Sequence, residues 1–462
     1  MTDTDLLVAG AGGGLAGALR AAQFGLRVLV VEANPHFQRG NNTSMSTAMV
    51  PGAGSRYQRA AGIEDSPQRF RADIEAKTHG GADPVVATAL TGVSAELVEW
   101  LADHAGLPIE LPTDFGYPGH SVPRVHSVPG RHGSALLGAL VARVNAEPLI
   151  DLLVPSGLVA VQAEGGGLIA ELRQPDGRTE RVSAGAVLLA TNGYGANSEL
   201  VSRYAPEIAA ADYHGSEYSR GDALRIGAEL GADTGFLDAY QGHAGLSAAA
   251  RTLVTWTTVM HGAILVGTDG RRFGNETVGY SEYAVELATR PGATGWLVFD
   301  ERIDELSRKF TDYRQLAGSG AVRSAETVAA LAESIDVPAD ALDAELTEAA
   351  EVASGRRSAD RFGRTGFGPG LGGSLRAVRV VPALFHTQGG LRIDADARVL
   401  RADGTPIAGL YAAGGAAVSI SGHGAAGYLA GNGLLPALGL AYLAAGHAAT
   451  EFLPRQQREV TR

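Results

Sequence analysis

Residues 5–32 read DLLVAGAGGGLAGALRAAQFGLRVLVVE. An apolar run to Ala9, a glycine cluster, an alanine-rich segment and a second apolar run to Val31 predict strand, turn, helix and strand, a βαβ unit. Each part has a physical role around a dinucleotide. Glycines let the backbone approach a pyrophosphate, a helix N-terminus stabilises its charge, and an acid ending the second strand, here Glu32, binds ribose hydroxyls. Gly10 and Gly12 fill the first two positions of that fingerprint. The third falls on Leu15, and Gly14 supplies a glycine one residue early. A second register, Gly12, Gly14 and Gly17, satisfies the pattern but brings Glu32 closer than the usual separation of about 20 residues. Gly10, Gly12 and Gly14 are therefore preferred.

The segment after the acid, RGNNTSMSTAMVPG (39–52), sets Asn42, Thr43, Ser44 and Ser46 beside glycines. Their amide and hydroxyl groups suit phosphates and a flavin ring, which favours FAD over the shorter NAD. Further on, LIAELRQPDGRTERVSAGAVLLATNGYG predicts a hairpin around Pro175-Asp176-Gly177 and an apolar strand, Ala186 to Ala190, that returns to the first sheet. From about Ala210 to Ala377 the character changes to amphipathic helices and short strands. LRIDADARVLRADGTPIAGLYAAGG then resumes strands and turns before a last helix. The expected fold class is α/β, with a discontinuous Rossmann-like FAD-binding domain (1–209 and 378–462) and an inserted α+β substrate or capping domain (210–377).

Composition excludes several functions. There is no Cys, so disulfides, thiolate-held iron–sulfur clusters and a cysteine nucleophile are out, and electrons must leave through a diffusible acceptor or a separate protein. A net charge of −12 argues against nucleic acid and anionic membrane surfaces as partners. The twelve His show no metal-ligand spacing, and neither a Gly-x-Ser-x-Gly elbow nor a P-loop lysine pattern occurs. No basic-then-apolar leader precedes the first strand, which makes the cytoplasm the expected location. The apolar tract from Leu434 to Ala449 is shorter than the roughly 20 residues of a membrane span and reads as a buried helix.

Four spaced segments, ATNGYGAN (190–197), HTQGGLRID (386–394), GLYAAGG (409–415) and GYLAGNGL (427–434), resemble the signature segments of the fumarate reductase and 3-ketosteroid dehydrogenase flavoproteins. Their order matches too, so the resemblance covers nearly the whole chain. It implies FAD contacts from Thr191, Asn192, Gly193, Gly414, Gly415, Asn432, Gly433 and Leu434, with a helix starting at the last of these and stabilising charge on the reduced flavin. Where relatives often carry Glu after Ala-Ala-Gly, this chain has Gly415. Where the fumarate reductase branch has a substrate-binding Arg before the last glycine turn, it has Tyr428. Where that branch has a proton-donating Arg four residues after the Asn-Glu of an Arg-Phe-x-Asn-Glu segment, RRFGNETVGY (271–280) has Tyr280. No histidine of RGNNTSMST matches the family's covalent flavin link, so the FAD is expected to be held non-covalently.

Losing both arginines disfavours a dicarboxylate, because carboxylate recognition depends on the guanidinium fork. Two tyrosines instead resemble the ketosteroid dehydrogenase branch. That resemblance implies a ketone or enone substrate, with flavin N5 exchanging a hydride at the β carbon. Tyr428, with backbone N–H groups around Gly431 and Asn432, would hold the carbonyl oxygen. Tyr280 would move the α-carbon proton, as base or as acid according to direction. A base role needs a nearby positive charge or donor, because a free phenol has a pKa of about 10. The residue expected in the GYLAG run is Ser, and Ala430 stands there, which leaves the position of the reacting bond open. Tyr117 is a candidate third active-site phenol, Tyr283 a local competitor of Tyr280, and His386 a substrate ligand. His243 could line the pocket but reads more readily as structural, and His423 lies near the flavin segment or equally serves as a loop donor to backbone. Two alternatives stand beside this reading: a reductase of a small unsaturated acid, and an electron-transfer flavoprotein subunit.

Overall fold

The computed structural model describes residues 3–114, 116–165 and 167–452. The opening stretch folds as strand Thr4–Ala9, helix Gly14–Gln23 and strand Val28–Val31, with the two strands parallel and Leu6 opposite Val28. Gly10 makes the turn possible. It sits at φ +111°, and a Cβ there would strike the Ala190 carbonyl. The helix then lies close against the last helix, Leu434–Phe452, because Gly17 meets Ala441 with no side chain between them.

Around this unit an eight-stranded sheet forms the first lobe. Its parallel core runs Ile150–Leu153, Val28–Val31, Thr4–Ala9, Thr179–Leu189 and Pro406–Ala412, with Arg398–Leu400 antiparallel on the outer edge. The hairpin Gly157–Glu164 and Gly167–Arg173 joins it through the outer half of Thr179–Leu189, turning at Asp176 and Gly177 as the sequence suggests. The inner half of that strand, Ala184 to Leu189, is almost wholly apolar and buried, as a central strand with parallel partners on both sides must be. Helix Leu434–Phe452 is buried against this core. Helix Pro84–Asp103 is long and apolar enough to cross a membrane, yet it packs on the same core through Leu90, Leu97 and Leu101.

The second lobe is a six-stranded sheet built on strand Leu375–Thr387, which pairs with Tyr240–Ser247, Gly295–Asp300, Val322–Ala325 and Asp212–Tyr213, while Ile264–Val266 completes the edge. Helices Tyr280–Ala288 and Ala339–Ala353 belong to this lobe. Strand Leu375–Thr387 stays hydrogen-bonded to second-lobe strands as far as Thr387, because it is the central strand of that sheet and carries the chain from the far edge of the lobe to the cavity.

Candidate active site

The C-terminal ends of the parallel strands converge, as expected where an open α/β sheet binds its ligand. Ala9-Gly10, Val31-Glu32, Ala190-Thr191 and Ala413-Gly414 all line one cavity of 640 Å³, which continues from the glycine turn to a cluster of aromatic side chains between the lobes. The chain thus builds a single elongated site with a nucleotide end and a tyrosine end.

At the nucleotide end the preferred glycine register fits the packing. Gly10 forms the turn and Gly12 faces the cavity beside Thr43. Gly14 faces away from it and packs on Val8 of the first strand, the close helix-to-strand contact that the third glycine of the fingerprint provides. Gly13, which sequence reasoning missed, lines the cavity at the start of the helix. The Glu32 carboxylate accepts hydrogen bonds from Ala11 N–H (2.8 Å) and Asn34 N–H (2.7 Å), and burial nevertheless raises its pKa above the usual carboxylate value.

The polar loop divides. Asn42, Thr43 and Ser46 line the cavity, whereas Ser44 does not. Ser44 is buried with its hydroxyl donating to the Asn41 carbonyl (2.8 Å), so it closes a turn and its neighbour Asn41 takes the cavity position. Asn42 also ties the lobes together, donating to Phe385 O (2.9 Å) and accepting from Ser216 N–H (2.7 Å). Thr191 and Asn192 line the wall, while Gly193 is packed behind it against Thr387. Gly415 explains the missing Glu. A Cβ at that position would lie 2.5 Å from Asn192 Oδ1 and 2.7 Å from Gly193 N, so the close approach of the two segments requires glycine.

Four buried polar atoms on the cavity wall, Ser156 Oγ, Thr191 Oγ1, Ser419 Oγ and Asn432 Oδ1, have no protein partner. Buried polar groups are nearly always hydrogen-bonded. Orphans distributed along a cavity that begins at a dinucleotide turn fit a long polar ligand such as FAD. Ser156 and Ser419 carried no recognisable motif and were missed in the sequence.

The tyrosine end brings together phenols from three separate stretches. Tyr117, Tyr280 and Tyr428 all line the cavity, and the Tyr280 and Tyr428 rings meet edge to face with centroids 5.7 Å apart. Burial first, then the neighbouring Tyr428 and Tyr117, pushes the Tyr280 pKa well above 10. Burial also raises Tyr428, partly offset by Tyr280 and by the backbone N–H of Gly433 beside it. The Asn432 N–H is occupied by Leu429 O (3.0 Å), so Gly433 supplies the amide beside Tyr428. Leu434 begins the last helix immediately afterwards and also lines the cavity.

His386 stands edge-on to Tyr428 at 5.9 Å and receives a hydrogen bond from the Gln388 amide at 3.3 Å. Burial lowers its pKa to about 4, so it is a neutral wall of the site at ordinary pH. His243, read more readily as structural, is stacked on Tyr280 at 4.7 Å, and burial lowers its pKa to about 3. Its Nδ1 accepts from Gly245 N–H (2.9 Å), which leaves Nε2 as the protonated nitrogen. Trp256, 6.3 Å from Tyr280, was also missed, because a lone Trp outside any motif gives no sequence signal. Tyr283 is removed as a competitor: it is buried in the second-lobe core, stacked on Phe273 at 5.2 Å, away from the cavity. His423 bonds Asp238 (2.9 Å) outside it, as a loop residue.

Residues 5–434 match the family described as FAD binding domain. The chain is 30% identical over 417 residues to the NADH:fumarate oxidoreductase of Klebsiella pneumoniae (strain 342), covering 89% of this chain and 44% of that protein's length. Its fold superposes on the open conformation of a flavocytochrome c3 fumarate reductase with a TM-score of 0.80 and 27% identity, covering 98% of this chain and 79% of the other. It also superposes on the 3-ketosteroid delta1-dehydrogenase of Sterolibacterium denitrificans with a TM-score of 0.76 and 21% identity, covering 97% and 99%, which shows a shared fold. The chain therefore belongs to the FAD binding domain family, as an FAD-dependent oxidoreductase related to the fumarate reductases and sharing its fold with a ketosteroid dehydrogenase.

Proposed function

We propose that this chain dehydrogenates, or in reverse reduces, the carbon–carbon bond beside a ketone in a cyclic, steroid-like substrate. The observation that carries this reading is the charge of the tyrosine end. The arginines lining the cavity are Arg173, on the first-lobe hairpin, and Arg220, next to Gly221, whose N–H donates to Gly193 O. At the tyrosine end stand three phenols, an indole and three histidines, His214, His243 and His386, whose pKa values burial lowers. A substrate carboxylate would meet no guanidinium fork there, whereas a neutral ketone would meet donors and flat apolar faces.

FAD, held by the glycine turn, Glu32, Thr191, Asn432 and their neighbours, supplies a two-electron partner for hydride exchange when bound. The chain's own residues do the rest. Tyr428 O–H and the nearby backbone amide of Gly433 hold the ketone oxygen and stabilise negative charge as it develops. Tyr280 moves the proton at the α carbon. With its pKa pushed up, it rests as the neutral phenol, ready to donate in enone reduction. Trp256 and His243 hold the ring faces and keep water out.

The fumarate reductase relatives favour a second reading, reduction of a small unsaturated acid, and one experiment separates the two. Under anaerobic conditions a steroid ketone should bleach the flavin absorbance. Reoxidation of a dithionite-reduced dye by fumarate, with no bleaching by ketones, would overturn the proposal in favour of the acid reductase. Failure of both would favour an electron-transfer subunit. An external electron acceptor completes the cycle, since the chain has no Cys to hold a cluster. The flavin is held non-covalently in this reading. Acid precipitation should leave all of it in the supernatant, and flavin remaining on the pelleted protein would contradict that.

A further inference from the structure

The chain has only two lysines, Lys77 and Lys309, among 38 basic residues. Both cross from one lobe to the other, and each ends beside the segment that carries a cavity phenol. Lys77 lies on helix Pro67–Thr78 of the first lobe. Its ammonium donates to Val278 O at 2.9 Å and pairs with the Glu282 carboxylate, so it grips the second lobe two residues before and two residues after Tyr280. The pair is nearly enclosed, at 11% and 19% side-chain exposure. Lys309 belongs to the second lobe and donates to Asp114 at 2.6 Å. Asp114, three residues before Tyr117, also accepts from Arg131 at 3.1 Å.

The local backbone is arranged for the first of these grips. Gly279 sits at φ +143°, a conformation that side chains rarely adopt, and the Glu282 carboxylate folds back into the space a Cβ would take there. On the first-lobe side, the stem of Lys77 packs against Gly119, where a Cβ would lie 3.3 Å from Lys77 Cδ. Two glycines thus make room for one ion pair. Glu282 Oε2 has no partner of its own, so the carboxylate depends on Lys77 for its compensation. Exposed ion pairs hold little, but a shielded pair that loses one partner leaves a buried charge unmatched.

We infer that Lys77, through Val278 and Glu282, is a positioning residue that holds Tyr280 against the first lobe, with Lys309 and Asp114 doing the same for the Tyr117 segment. This rests on Tyr280 as the proton-moving group, and the test separates the two ideas. Hydrogen–deuterium exchange and ketone turnover are measured on flavin-loaded wild type, Lys77→Met, Lys77→Arg and Tyr280→Phe. Lys77→Met should accelerate exchange in peptides spanning 276–288 and leave those spanning 4–31 unchanged. It should also lower kcat about tenfold or more with the flavin spectrum retained, and Lys77→Arg should restore most of both. Tyr280→Phe should lose turnover without changing exchange. Unchanged exchange in 276–288 with Lys77→Met would overturn the latch. Turnover surviving in Tyr280→Phe while Lys77→Met still loosens 276–288 would remove the role of Tyr280 and keep the latch. Should Lys77→Met fold poorly, the exchanged pair Lys77→Glu with Glu282→Lys recovers the contact, and loss of protection in 276–288 there would equally refute it.

Discussion

Tyr280→Phe should keep the yellow flavin spectrum and lose about 10²–10⁴-fold in ketone turnover, the range a positioned acid or base contributes. The substitution removes one oxygen and leaves the ring. Stacking on His243 at 4.7 Å and the edge contact with Tyr428 at 5.7 Å therefore survive, and so should the shape of the cavity. FAD retention depends on the strand ends and glycine turn of the first lobe, which Tyr280 does not touch. Steady-state rates with an artificial dye, beside the flavin spectrum, check both halves. The raised pKa adds a direction to the pH profile. Burial, then Tyr428 and Tyr117, keep the proton on Tyr280 at neutral pH. Enone reduction, which uses the phenol, should be flat through the neutral range. Dehydrogenation, which uses the phenolate, should climb as pH rises into the alkaline range. A dehydrogenation rate independent of pH would show that another group takes the proton.

Glu276→Gln should destabilise the protein by about 3–5 kcal/mol, the cost of breaking a buried ion pair from one side. Glu276 is wholly enclosed between Arg272, which bonds both of its oxygens at 2.7 and 2.6 Å, and Arg364 at 2.9 Å. Asp360 takes the remaining face of Arg272 at 2.6 Å, and Leu265 N–H donates to Glu276 at 3.1 Å. Neutralising Glu276 leaves two buried guanidinium groups sharing one carboxylate. Burial alone would raise the Glu276 pKa, but the hydrogen bonds of Arg272 and the charge of Arg364 outweigh it and hold the pKa below the usual value. A carboxylate with a depressed folded-state pKa contributes stability above its unfolded pKa and loses it as pH falls through the folded one. The gap between wild type and variant in urea unfolding should thus be full at neutral pH and narrow in acid. An unchanged midpoint at pH 7 would refute this account of the network. Because the short helix Glu276–Val278 leads directly into Tyr280, the variant should also lose turnover.

Legibility in the sequence followed the physics of each feature. The βαβ unit was readable because two apolar runs, the glycine turn and the terminal acid all lie within 28 residues, and such a local pattern needs no tertiary knowledge. Tyr280 and Tyr428 were found by their place in motifs, at positions where relatives carry arginine. The sheet that strand Leu375–Thr387 joins was not legible, because an apolar run such as LRAVRVVPALFHT looks the same whichever sheet it enters. Ser44 and Ser46 were equivalent by composition, and both hydroxyls close local turns, but only the fold of the loop leaves Ser46 on the cavity wall and Ser44 off it. His243 and Trp256 reach the site through long-range packing of strand Tyr240–Ser247 and the loop after it, which no spacing records. The two lysines were visible as a scarcity, but their partners lie 201 and 195 residues away in sequence. Which amide stands free beside Tyr428 was not legible, since which N–H is spent inside a turn is decided by backbone geometry alone.

The most direct measurement is a crystal structure of the flavin-loaded protein with an inert cyclic ketone bound. The account requires the ketone oxygen within hydrogen-bonding distance of Tyr428, the Tyr280 hydroxyl over the adjacent carbon, and no arginine or lysine touching the ligand. A ketone lying elsewhere, or either phenol turned out to solvent with FAD in place, would contradict it.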